Sequence, residues 1–130
     1  MHYKIANFAQ VLIPPILLDM NATIQSILLT NGAEPVKVDF LQAKKASLIL
    51  RSINHKLRQQ IIKLLDEHQK MTVTELYVKL RLEQSVASQH LAILRRAGIV
   101  STTREGKFIY YSVNYSRLND VVGFVKALVD

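Results

Sequence analysis

Gly98 marks a change of period in this chain. Before it, residues 84–96 (QSVASQHLAILRR) place Ala87, Leu91 and Leu94 four and three residues apart, along one face of an α-helix. After it, residues 99–113 (IVSTTREGKFIYYSV) alternate with period two about Gly106, as a two-stranded antiparallel ribbon does. Gly106 supplies the positive φ of a tight, bulged turn, because Glu-Gly is a weaker two-residue turn than Asn-Gly. A helix that ends at a glycine and runs directly into a hairpin must bury its apolar face under what precedes it.

The preceding residues supply such elements. Residues 40–53 (FLQAKKASLILRSI) read as a helix with Leu41, Leu48, Ile49 and Ile53 apolar. Asn54 is positioned to cap a second helix with Leu57, Ile61, Leu64 and Leu65 at helical spacing. Met71-Thr72-Val73 reads as a short β-like step. Thr74 then caps a helix over 75–80, with Glu75 in its first turn, where the dipole favours an anion. A tight link, Arg81-Leu82-Glu83, leads into the helix that begins at Gln84. The expected fold is therefore mainly α with a small β-hairpin (α+β).

The second face of residues 84–96 is of another kind. Ser85, Ser88, Gln89, Ala92, Arg95 and Arg96 lie opposite the apolar row, small and hydrogen-bonding first, cationic last. A helix entering the major groove of double-stranded DNA needs short side chains for close approach, Gln and Ser for base edges, and Arg for phosphates. Charge supports this. The net charge is +7, and residues 41–113 hold thirteen Lys or Arg against five Asp or Glu, while the flanks are near neutral. Localised positive charge suits a polyanion. Arg104 and Lys107 flank the hairpin tip, where they reach a minor groove or the backbone. Short helix, turn, long helix and basic-tipped hairpin is the order of a winged helix-turn-helix. The alternative is a winged-helix module for protein–protein contact without specific DNA binding; Arg95, Arg96, Arg104 and Lys107 count against it.

These residues resemble the DNA-binding core of the ArsR/SmtB family of bacterial transcriptional repressors. That family shows a Q-S-x-x-S-x-H-L run, then L-x-x-A-G-L-V, a wing containing R-x-G and a Y-x-V/L end. Gln84-Ser85, Ser88, His90-Leu91, Leu94, Ala97-Gly98, Arg104, Gly106 and Tyr111 match it. Arg58, Ile61 and Leu64-Leu65 match the family's R-x-x-I-L-x-L-L helix. The likeness covers roughly residues 40–128. Glu83 departs from it, standing where the family usually has a capping Ser, and so does Gln59, where an apolar residue is frequent. The resemblance implies a transcriptional regulator, in most members a repressor, whose DNA contacts here would be Gln84, Ser85, Ser88, Gln89, His90, Arg95, Arg96, Arg104 and Lys107. His90 lies beside the core face, where a local hydrogen bond competes with a phosphate.

The resemblance also implies a homodimer, and the last helix argues for one independently. Leu118, Val122, Val125 and Val129 form a stripe that Val121 and Leu128 widen. Together with Leu41 and Leu48 it is the expected interface. No metal or other cofactor is expected. One site known in the family uses cysteines on the helix matching 75–80, and the chain has none. Another uses Asp, His and Glu on the last helix, which here has Asp120 and Asp130 but no histidine. The remaining control is an organic ligand, protein abundance or competition, and the lack of an evident polar cluster favours the latter two. No nucleophile elbow, phosphate loop or carboxylate pair suggests an enzyme.

Residues 1–36 read as an extension to a DNA-binding and dimerisation domain over 37–130. The stretch AQVLIPPILLD is too short to cross a bilayer and makes a poor signal peptide, so no membrane partner is expected and the cytoplasm is the expected location. Met20 could be an alternative start. A short helix follows, capped by Asn21, with Ile24, Ile27 and Leu28 on one face and closed by Gly32.

Overall fold

A computed structural model describes residues 24–130, which divide between Ala43 and Lys44 into two compact units. In the first unit, β1 (Ser26–Leu29) pairs antiparallel with β2 (Val36–Asp39), Ser26 opposite Asp39 and Leu29 opposite Val36. The short helix expected here is therefore corrected to a strand over 26–29. Ile27 and Leu28 satisfy a helical spacing, but four residues are too few to separate the two periods. Val36 and Val38 alternate with Lys37, and Asn31-Gly32 lies between the two runs as a turn does, rather than closing a helix. Asn21 and Met20 lie outside the described residues. The Phe40 amide donates to the Gln25 carbonyl (2.7 Å), and Asp39 Oδ1 accepts from the Gln42 amide (3.0 Å), capping α1 (Phe40–Ile53).

The second unit continues with α2 (Lys56–His68), α3 (Val73–Leu80), α4 (Gln84–Arg96), β3 (Val100–Glu105), β4 (Phe108–Val113) and α5 (Tyr115–Val129). It is the mainly α winged helix-turn-helix that the sequence implied. Ile61 and Leu65 of α2, Leu76 of α3, Ala87, Leu91 and Leu94 of α4 and Ile99 are fully buried. Val113 and Val121 complete the core from β4 and α5.

The caps sit slightly off their expected positions. His55, not Asn54, caps α2, its Nδ1 accepting from the Leu57 amide at 3.1 Å. Thr72, not Thr74, caps α3 in a reciprocal box with Glu75: Thr72 Oγ1 accepts from the Glu75 amide (3.1 Å) and Glu75 Oε1 from the Thr72 amide (3.3 Å). The β-like step shrinks to one bridge, Met71 to Tyr111, with hydrogen bonds of 3.0 and 2.7 Å. At the start of α5, Tyr115 Oη donates to Asp66 Oδ1 of α2 at 2.5 Å. Among the described residues, no helix is long and apolar enough to cross a membrane.

Candidate nucleic-acid interface

Two short connections aim α4. Arg81 ends α3 in the left-handed region (φ 55°), and the Leu82 amide returns to the Tyr77 carbonyl (2.9 Å), so the turn into α4 is tight. Glu83 caps α4 without a side-chain hydrogen bond, as the poor capping geometry of Glu implies. At the far end Gly98 takes φ 76°, and a Cβ there would come within 3.3 Å of Arg117 Nε. The positive φ is what favours glycine in the turn after α4, whereas the contact with the Arg117 side chain would need a shift of only a few tenths of an ångström.

Between these turns α4 is held by Ala87, Leu91 and Leu94, each with no exposed surface. That orientation leaves Gln84, Ser85, Ser88, Gln89, Arg95 and Arg96 exposed in one row. Arg104 and Lys107 are exposed at the hairpin tip, where Arg104 Nε donates to the Gly106 carbonyl at 3.2 Å. Beside the row, Ser88, Ala92, Arg95, Arg96 and Tyr111 line a concavity of about 410 Å³. The hairpin is tied to the segment after α2 by Lys70 Nζ on Glu105 Oε2 (2.6 Å), and the same ammonium lies 4.8 Å from the Tyr110 ring centre. The carboxylate holds the Lys70 pKa above its usual value.

His90 stands apart from the exposed row. It is half-buried on the side of α4 that meets α2, its Nδ1 3.2 Å from Arg58 Nη1 and its ring centre 4.9 Å from that of His55. Burial, then His55, then the Arg58 guanidinium lower its pKa below the usual 6.5. Its neighbours are thus within the protein.

Arg58 has a role the sequence reading did not assign. It is buried, donating from Nε to the Ser52 carbonyl (2.6 Å) and from Nη2 to the Arg51 carbonyl (3.1 Å). It thereby satisfies carbonyls at the end of α1 and orients His90 on α4. A signal was present: Arg58 precedes Ile61 and Leu65 by three and seven residues, so a cation stands on the core face of α2. Gln59, the other departure on that helix, is exposed and donates to the Ile53 carbonyl (2.9 Å).

The expected dimer residues do not share one environment. Leu118 and Val125 are half-buried against the core, and Val121, expected to widen the stripe, is part of the core itself. Val122 and Val129 are exposed on α5, as are Leu41 and Leu48 on α1. No three His, Asp or Glu side chains among the described residues are grouped as a metal site would require.

Residues 55–102, from the cap of α2 into β3, match the family model described as bacterial regulatory protein, arsR family. The transcriptional activator HlyU of Vibrio cholerae is 33% identical over 84 residues, which cover 65% of this chain and 77% of HlyU. The chain belongs to the ArsR family. The transcriptional repressor PagR of Bacillus anthracis is 29% identical over 86 residues, 66% of this chain and 86% of PagR. The crystal structure of HlyU from Vibrio vulnificus CMCP6 superposes with a TM-score of 0.51 at 34% identity, over 70% of this chain and 94% of that one. As an ArsR-family member the protein is a DNA-binding transcriptional regulator, a class without enzymatic activity.

Proposed function

We propose that this ArsR-family protein is a homodimeric, sequence-specific repressor that binds an imperfect palindrome. The observation that carries the reading is the exposed row on α4: Ser and Gln side chains over its first turns, then Arg95 and Arg96, on a helix whose other face buries Ala87, Leu91 and Leu94. Gln84, Ser85, Ser88 and Gln89 read base edges; Arg95, Arg96, Arg104 and Lys107 hold phosphates. His90 supports the row from behind, against Arg58. Residues 37–130 are the working domain and residues 1–36 an extension.

Dimerisation follows from the exposed apolar side chains of α5 and α1, and two copies of α4 would reach half-sites about one helical turn, ~34 Å, apart. Repression is the simpler outcome for a regulator of this size, because occupying a promoter suffices to block it. PagR is a named repressor, although HlyU is a named activator.

The test is selection of a site from random DNA with purified protein, followed by titration with Gln89→Ala. The variant should lose about 1–3 kcal/mol of discrimination at one base pair per half-site. Unchanged affinity and preference would remove Gln89 from the interface.

A further inference from the structure

Behind the reading helix lies a groove of about 580 Å³, within the range of small-molecule sites. Its walls come from α1, α2, α4 and α5. Lys45, Arg51, Arg58, Arg96 and Arg117 contribute five cations, and among the described residues no Asp or Glu lines it. Among the described residues the only ion pair is Lys70 with Glu105, so none of the five has a carboxylate partner. Leu48, Ile49 and Ile93 supply an apolar lining between the charges.

The cations are partly preorganised. Arg58 is held by the Ser52 and Arg51 carbonyls, and Arg117 Nε donates to the Ala97 carbonyl at 3.3 Å. Guanidinium groups have five N–H donors and pair with carboxylates through two at once, so both retain donors for a ligand. Gathering like charges without counter-ions is unfavourable, and one anion would relieve it. An apolar lining adds that the anion should carry an apolar body.

Arg96 belongs to this groove and also to the concavity it shares with Ser88 and Arg95. It is exposed, near the end of α4, and its guanidinium can serve one face at a time. We propose that the groove binds an organic anion, one carboxylate on an apolar body, and that its occupancy weakens DNA binding by drawing Arg96 away from the DNA. The regulatory half rests on the DNA reading above; the binding half does not.

Calorimetry on the full chain would compare decanoate and 2-naphthoate with decanol and inorganic phosphate. At least one carboxylate should bind saturably, about tenfold or more tighter than decanol or phosphate, the tighter of the two assigning an aliphatic or aromatic body. Lys45→Ala and Arg51→Ala should each weaken it about tenfold while leaving ligand-free DNA affinity unchanged. Saturating carboxylate should lower DNA affinity about five- to fiftyfold, and DNA should lower carboxylate affinity by the same factor. Carboxylates no better than decanol would overturn the site. Loss of DNA affinity or dimerisation in Lys45→Ala and Arg51→Ala, with carboxylate binding intact, would overturn it too, assigning the cations to DNA or to a second copy. Saturable carboxylate binding by a protein without DNA affinity would uphold the site and sink the DNA reading.

Discussion

Helices α4 and α5 are both amphipathic, yet among the described residues one has its apolar face covered and the other does not. The apolar residues Ala87, Leu91 and Leu94 of α4 are wholly buried. In α5 only Val121 is buried, while Val122, Leu128 and Val129 are 53%, 67% and 75% exposed. A helix whose apolar face is satisfied can devote its other face to a polar partner. A helix whose apolar residues outnumber the places in the core needs a cover, and contiguous exposed apolar surface marks such interfaces. The same small fold thus presents a polar, cationic face on α4 and an apolar one on α5.

The sharpest way to break this contrast is to replace one apolar residue on each helix. Leu91→Ala should cost about 2–5 kcal/mol in urea unfolding, because its site is closed on all sides. Val122→Glu should leave the protomer folded but shift light scattering from dimer to monomer at micromolar concentration, since it would bury an unpartnered charge in the seam. A dimer that survives this change would mean α5 is covered in another way.

Smaller effects sharpen the division of labour on the polar side. Arg104→Ala or Lys107→Ala should weaken binding to all sequences alike, each reducing the salt slope by about 0.9. A change in base preference would make the wing a reader rather than a clamp. The smallest effect belongs to His90. Its native pKa lies below the unfolded 6.5, so the unfolded chain takes up the proton first. Its contribution to stability is whole above 6.5 and is lost as pH falls from there through the lowered native value. Urea midpoints between about pH 7.5 and 5.5 should fall less in His90→Gln than in the unaltered protein.

Helices α2, α4 and α5 and the hairpin were legible in the sequence because their periods repeat over many residues. Strands β1 and β2 were not, because four residues hold too little periodicity to separate Ile27 and Leu28 on a helix from the same pair on a strand. The Thr72 cap was hidden by reading 71–73 as extended, although Thr72 and Glu75 have the spacing of a capping box. The exposed row on α4 was legible, since face membership follows from spacing once the core face is known. His90 shows the limit: spacing put it beside the core, and only the packing of α2 gave it Arg58 as a partner. The cationic groove corrects the expectation that no polar cluster marks a pocket. Lys45, Arg51, Arg58, Arg96 and Arg117 converge from four helices, and linear order carries no trace of that meeting.

The bridge between Met71 and Tyr111 and the ion pair between Lys70 and Glu105 tie the hairpin to the segment after α2 at two levels. Tyr111 of β4 is bonded on both edges, to β3 and to Met71, and at the tip Lys70 holds Glu105, the last residue of β3 before the turn. A ribbon held both along its length and at its tip swings less than one held at its root alone. Arg104, opposite Ile109 in the ladder, and Lys107, in the turn, therefore flank a tethered residue, and their placement beside α2 is built into the fold. Docking such a tip immobilises only a few residues, so little conformational entropy opposes it.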